Sequence, residues 1–241
     1  MPYAEILDVC KGIMPEFINP KYADASKTVF KKPTRLECMM QDFPSVLTGS
    51  DTKRVAFTSV SADLCFSPVK NSAKDGALLQ AQGTHPACAA SAEADQYGAC
   101  RKILRSIGVH VEDREPESYN GVSVVLGPEI VISPMAMCCP GEYEEVFTTP
   151  DKVRISARSS LIIIGSGNLT IESLDLDGAL VIECEEGAEG IVRDLAVKNE
   201  GWVREPMENS GDRILDMRGY KLIVKKTAEV DYRKKTECVI L

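Results

Sequence analysis

Histidine and tryptophan are nearly missing from this sequence: 241 residues hold two histidines and one tryptophan. Two imidazoles rule out a histidine-rich metal centre, and His85-x-x-Cys88 has no second ligand pair at a suitable spacing, so no metal ligands are assigned. Positive charge is short as well. A formal net charge of −8 argues against a nucleic-acid binder and leaves anion recognition to local basic patches. No apolar run approaches the roughly 20 residues of a membrane helix, and no signal peptide is recognisable. The nine cysteines include no C-x-x-C pair, and the adjacent Cys138 and Cys139 suit neither a zinc knuckle nor an ordinary disulfide. A reduced, cytoplasmic protein is expected.

What is present is a 44% hydrophobic chain, long enough for a sizeable core and one or two domains. In "FKKPTRLECMMQDFP" (30–44), Thr34 and Glu37 have capping-box spacing, so a helix is predicted from Thr34. Leu36, Met39, Met40 and Phe43 would then form its buried stripe. Lys31, Lys32 and Arg35 would sit beside its N-terminus, as an anion site or as a solvated basic rim. "RVAFTSV" (54–60) alternates like a strand, and "DLCFSPVKN" (63–71) reads as a second extended run broken by Pro68. Helical spacing of Tyr97, Cys100, Leu104 and Ile107 predicts a helix over 93–107 that Gly108 stops. Strands return in "GVSVVLGPEIVISP" (121–134).

Near Pro150 the character changes to short β-branched segments, each closed by Gly, Asn or Asp after about ten residues. Stacked β coils are expected there, a β-helix or a small barrel, with one more strand after Gly219. The division is placed at 1–148, mixed α/β, and 149–241, β-rich. "GSGNLT" (165–170) resembles a nucleotide loop but runs on into a strand rather than a helix, so Gly165 and Gly167 read as turn residues. Asp175 and Asp177 share a strand face and could hold a cation, yet Asp177-Gly178 is foremost a turn pair. In "FSPVKN" (66–71), Pro68 fixes the backbone ahead of Lys70 and Asn71 accepts a turn. Lys70 is thus either an exposed lysine or a group projecting where open α/β sheets bind ligands.

Four blocks carry a family resemblance: "EFINPKYADASKTVFKKPTRLECMMQDFP" (16–44), "FSPVKN", "LDLDGALVIECEE" (174–186) and "NEGW" (199–202). In order and spacing they are similar to UDP-sugar pyrophosphorylase, the UTP–monosaccharide-1-phosphate uridylyltransferase. The resemblance implies the C-terminal part of a Rossmann-like nucleotidyltransferase domain, followed by a β-helix-like C-terminal domain. It implies a reaction of UTP with a sugar 1-phosphate, giving UDP-sugar and pyrophosphate with a magnesium ion. The family's glycine-rich uridine loop belongs to an N-terminal half that these blocks do not include, so this chain alone is expected to be inactive. Lys70 matches the family lysine and would be the catalytic cation on the reacting phosphates. Lys31, Lys32, Arg35 and Asn71 would bind substrate. The family's Ser-Ala-Thr-Ser-Gly-Glu appears as "CAASAE" (88–93), keeping Ser91 and Glu93 and losing the Thr and Gly.

Two readings stand side by side. One is a uridylyltransferase portion, completed by a separate N-terminal half; the other is a non-catalytic binding or assembly protein derived from such an enzyme. The ending Cys238-Val239-Ile240-Leu241 fits a geranylgeranylation signal with Arg233, Lys234 and Lys235 upstream, which would give membrane contact. The alternative is a last strand with its apolar end tucked onto the β domain.

Overall fold

A computed structural model describes residues 3–234. The chain divides into two units, 1–59 and 60–241. The first contains helix α1 (Tyr3–Cys10) and the antiparallel strands β1 (Glu16–Ile18) and β2 (Leu36–Cys38), with Phe17 opposite Glu37. The helix expected from Thr34 does not form. Leu36, Glu37 and Cys38 satisfy their main-chain groups across the β1 ladder, and Leu36 and Met40 are 65% and 64% exposed, so no buried stripe exists to stabilise a helix. A 3₁₀ segment, Met40–Val46, follows instead.

Residues 54–60 pair with no strand among the described residues, and Phe57 is 92% exposed. Alternation without a partner strand leaves this segment as the irregular link between the units. The expected extended run at 63–71 begins as a helical turn, α2 (Ala62–Cys65). Then come α3 (Ala73–Ala81) and α4 (Ala89–Ser106). Of the predicted α4 face, Tyr97 and Leu104 are buried and Cys100 and Ile107 partly so. The helix starts four residues earlier than expected because Cys88 and Ser91 cap it. Gly108, at φ +101°, lies just past its end.

The short strands β3 (His110–Val111), β4 (Glu117–Tyr119), β5 (Val122–Val124) and β6 (Glu129–Ile132) lead to α5 (Pro140–Val146). From there the strands are dealt in rotation to three parallel sheets. These are β7 (Val153–Ile155), β8 (Ser160–Gly165), β9 (Asn168–Ile171), β10 (Leu174–Asp177), β11 (Ala179–Cys184), β12 (Glu189–Val192) and β13 (Leu195–Lys198). One sheet runs β13-β10-β7-β3, a second β16-β11-β8-β6, and β12-β9 form the third; β16 is Ala228–Tyr232. An antiparallel pair, β14 (Trp202–Pro206) with β15 (Tyr220–Val224), flanks α6 (Arg213–Arg218). Two strands therefore follow Gly219 where one was expected. The chain is a mixed α/β protein with parallel sheets. Residues 235–241, including Cys238 and the expected lipid signal, lie outside the described residues.

One hydrophobic core fills the inside of these sheets and continues under α4 and α5: Leu104, Ile130, Phe147, Ile163, Leu176 and Ile182 are all buried. Two glycines mark where successive strands approach closely. A Cβ on Gly165 would stand 1.9 Å from the Cys184 carbonyl oxygen, and one on Gly178 2.2 Å from Asn199 Oδ1. Asn199 ties the corner: its Oδ1 accepts from the N–H groups of Ala179 (2.8 Å) and Gly201 (2.9 Å), and its Nδ2 donates to the Ala179 carbonyl at 2.9 Å. The "NEGW" block is thus a structural tie between strands. Leu176→Ala should cost about 2–5 kcal/mol through the cavity it leaves. Asn199→Ala should cost about 1–3 kcal/mol by orphaning those main-chain groups. Urea unfolding of each variant checks both values.

Candidate active site

Unit 1 carries the basic patch. Lys31 N–H donates to the Lys21 carbonyl at 2.7 Å, and Tyr22 bridges to Phe30, folding 19–35 back on itself. This brings Lys21, Lys32 and Arg35 to one cleft of about 440 Å³ with Asn19 and Thr34. Lys31 is exposed and does not line it. Arg35 lies 3.7 Å from Glu37, the residue opposite Phe17 in the ladder. The basic cluster therefore exists, but strands position it instead of the expected helix N-terminus.

Unit 2 carries Lys70 and Asn71, and a network of hydrogen bonds fixes their loop. The N–H groups of Lys70 and Asn71 both donate to the Ala87 carbonyl (2.8 and 3.0 Å), and Asn71 Nδ2 donates to the Pro86 carbonyl at 2.9 Å. Upstream, Ser67 Oγ donates to Asp95 Oδ2 at 2.6 Å, and the same oxygen lies 3.0 Å from His85 Nε2. Ala87 N–H donates to His85 Nδ1 at 3.1 Å, so the ring's remaining proton sits on Nε2, facing Asp95. Downstream, Ser72 Oγ accepts from Asp75 N–H at 3.1 Å and caps α3. The lysine loop is thereby tied upstream to Asp95 of α4, in its middle to the Pro86–Ala87 main chain ahead of α4, and downstream into the cap of α3. Its own side chain is exposed.

Asn71, Ser72 and Ala73 line a cleft of about 330 Å³ with Ala89, Arg213 and Asp216. The first turns of α3 and α4 both open on it, and their free N–H groups and the Arg213 guanidinium favour an anion. Asp216 is the carboxylate on this wall. Its Oδ1 is already occupied by the Ser210 N–H (2.7 Å) and hydroxyl (2.8 Å), whose hydrogen bonds hold its pKa below the ordinary aspartate value. One carboxylate suits a magnesium ion carried mainly by phosphate oxygens, not one caged by protein. Lys31, Lys32 and Arg35 belong to one unit and Lys70 and Asn71 to the other.

Sequence reasoning missed Arg213, Ser72 and the Ser67–Asp95–His85 chain. The Asp95 cluster joins residues up to 28 positions apart, which no local pattern announces. Ser91 and Glu93, the residues that "CAASAE" keeps, are structural in this fold. Ser91 Oγ exchanges hydrogen bonds with the main chain of Cys88 at 3.0 Å. Glu93 pairs with Arg218 at 2.8 Å and accepts from the Tyr220 hydroxyl, while the Arg218 guanidinium lies 4.3 Å from the centre of the Tyr220 ring. Beside them Arg204 contacts Glu129, both side chains only 6% exposed. Burial pushes the Glu129 carboxyl above the ordinary range, against the pull of Arg204.

Asp177, weighed earlier as a cation ligand, binds Arg158 Nε at 2.6 Å and the Ser156 hydroxyl at 2.9 Å, so it is committed to a salt bridge. Arg158 holds its pKa below the ordinary aspartate value. A lowered folded-state pKa adds stability above the unfolded value and loses it as pH falls through the folded one. The stability difference between wild type and Asp177→Asn should hold steady from neutral pH to about pH 5, then shrink on further acidification. Urea midpoints taken across that range test it.

The chain is 35% identical over 235 residues to UDP-sugar pyrophosphorylase of Oryza sativa subsp. indica, covering 96% of this chain and 37% of the relative. The protein of the same name from Oryza sativa subsp. japonica matches with the same identity and coverage. That of Arabidopsis thaliana is 37% identical over 212 residues, 86% of this chain and 33% of the relative. No protein-family profile matches. Over nearly its whole length the chain is therefore similar to part of the UDP-sugar pyrophosphorylases. It spans about a third of the length of these curated relatives.

Proposed function

We propose that this chain forms part of a uridylyltransferase that joins UTP and a sugar 1-phosphate into UDP-sugar and pyrophosphate. The observation that carries this reading is the immobilised Lys70 loop at the rim of a cleft where two helix N-termini and Arg213 meet. In such a reaction the sugar phosphate attacks the α-phosphate in line, so positioning and charge neutralisation supply most of the catalysis. Lys70 acts as the cation on the reacting phosphates. Asn71 holds its loop and borders the substrate, and Lys31, Lys32 and Arg35 bind phosphate or sugar. Asp216, the carboxylate on the cleft wall, would help hold a magnesium ion carried by the UTP phosphates, which would screen their charge.

We further infer that 149–241 is the C-terminal domain of the enzyme and 1–148 part of its catalytic domain, and that the described residues from 149 onward form a parallel β-helix, apart from α6 and the antiparallel β14–β15 pair. Rotation of the strands through three parallel sheets supports this. The two are not separated by a loose linker, because β3 pairs with β7 and β6 with β8 across residue 148. A cytoplasmic location is supported by the eight cysteines among the described residues, all of them free thiols. None of the described helices is long and apolar enough to cross a membrane.

The glycine-rich uridine loop comes from residues beyond the blocks matched here, which a separate N-terminal half or a longer chain would supply. The 241-residue polypeptide assayed alone should therefore show no turnover of UTP with glucose 1-phosphate; turnover that scales with its concentration would refute this. In a protein completed with the N-terminal half, Lys70→Ala should lower kcat about 10²-fold or more, the usual loss on removing one preorganised charge-stabilising donor. An unchanged kcat would return Lys70 to an ordinary surface lysine.

A further inference from the structure

The turn between β6 and α5 brings together three metal-ligating groups that the proposed chemistry does not use. The ligand atoms of Cys138, Cys139 and Glu142 all lie within 4.8 Å of one another. Both thiols are exposed. The turn itself is well anchored. Met137 on one side and Tyr143 on the other are buried in the core, and the N–H groups of Ala136 and Met137 close onto the Ser133 carbonyl at 2.8 and 3.1 Å. Glu142 Oε2 accepts from the N–H groups of Cys138 (2.6 Å) and Cys139 (3.3 Å), and the carboxylate is hydrogen-bonded to both thiols as well, which fixes it between them. Pro140 restricts the backbone directly after the two cysteines.

Cys139 and Glu142 form the capping box of α5, each side chain meeting the other's main-chain N–H. Sulfur is a weak acceptor for that role, where serine or aspartate would serve better. Capping gives no part to the Cys138 side chain, which hydrogen-bonds to Glu142 instead, and an exposed thiol carries an oxidation liability without packing in return. Two sulfurs and one carboxylate oxygen are, however, a donor set for a soft or borderline ion. Zinc–sulfur bonds of about 2.3 Å place two sulfurs about 3.8 Å apart around a tetrahedral ion, within the spread found here. Magnesium and calcium, which take oxygen ligands, do not suit it.

We propose that Cys138, Cys139 and Glu142 bind one soft divalent cation, zinc or cadmium, with a fourth position open to water. Each thiol gives up its proton on coordination, so two protons are released to solvent per ion bound, and Glu142 contributes a carboxylate oxygen without a change of protonation. The site is independent of the Lys70 cleft, and its occupation does not require the rest of the enzyme.

The full 241-residue chain, kept reduced with a phosphine and freed of metal, is titrated with Cd²⁺ while thiolate-to-cadmium charge-transfer absorbance is followed. Zn²⁺ affinity is measured by competition with a chromophoric chelator. The double variant Cys138→Ser with Cys139→Ser should lose one equivalent of cadmium and its absorbance relative to wild type. Serine improves the helix cap, so the fold is expected to persist, and circular dichroism checks it. Glu142→Gln keeps the capping acceptor but removes the charge, and should weaken zinc at least about tenfold, the scale on which loss of even an outer-shell partner registers. The proposal is overturned if the double variant binds cadmium with the stoichiometry and affinity of wild type. It is equally overturned if the wild-type chain takes up neither ion.

Discussion

Parallel main-chain pairing is the constraint on which unit 2 rests. Between Ala179–Cys184 and Ser160–Gly165 six residues lie in register, and β16 adds five more on the other side. Such pairing leaves no short hairpin to hold two strands together, so each strand depends on a neighbour 19 to 48 residues away (Ser160 to Ala179, Leu180 to Ala228), and the apolar inward faces must supply the cohesion. The same ladders reach the Lys70 loop. Strand β6 is an edge of the β8 sheet, and the Arg101 guanidinium of α4 donates to the carbonyls of Pro128 (2.9 Å) and Val125 (3.0 Å) at the approach to it. Burial lowers the Arg101 pKa to about 10, still well above neutrality, so the cation stays in place. With α4 fixed in this way, Asp95 in its second turn and Ala87 just ahead of its N-cap hold the positions to which the loop is tied.

Much of this was legible where the pattern was long. Helix α4 announced itself through Tyr97 and Leu104, and the strands after Pro150 through β-branched residues and evenly spaced turns. The segment at 34–38 was not, because a two-residue capping signal was weaker than the ladder offered by Glu16–Ile18. Sequence spacing could not show that partner. The irregular 54–60 is the reverse case: an alternating pattern with nothing to pair with. At the cleft, Lys70 stood out through its motif, whereas Arg213 lies far along the chain on a six-residue helix with no signature of its own.

The polar cluster beneath β15 shows how the retained residues of "CAASAE" fit a different local sequence. Glu93 is held between Arg218 and the buried Tyr220, and the Tyr220 ring packs against Tyr119 at 4.8 Å between centroids, tilted by 48°. Burial and the Glu93 carboxylate both push the Tyr220 hydroxyl pKa upward, so it remains a neutral donor. Arg204 Nε lacks a hydrogen-bond partner, a cost that the Glu129 contact only partly offsets. The cluster joins residues from 93 to 220, so it can close only after α6 and β15 have been laid down.

Strand order has a consequence for how the protein is made. Each parallel pairing among β7, β8, β10, β11, β12, β13 and β16 is to a strand that precedes it in the chain. These segments therefore meet a template that is already laid down, starting from β3 and β6, whereas β9 waits for β12 and β14 for β15. Assembly of the first two sheets can keep pace with the ribosome, layer upon layer. For those sheets the growing edge of unsatisfied main chain is an advancing front. That front is the part of a nascent chain most in need of a chaperone or of uninterrupted translation.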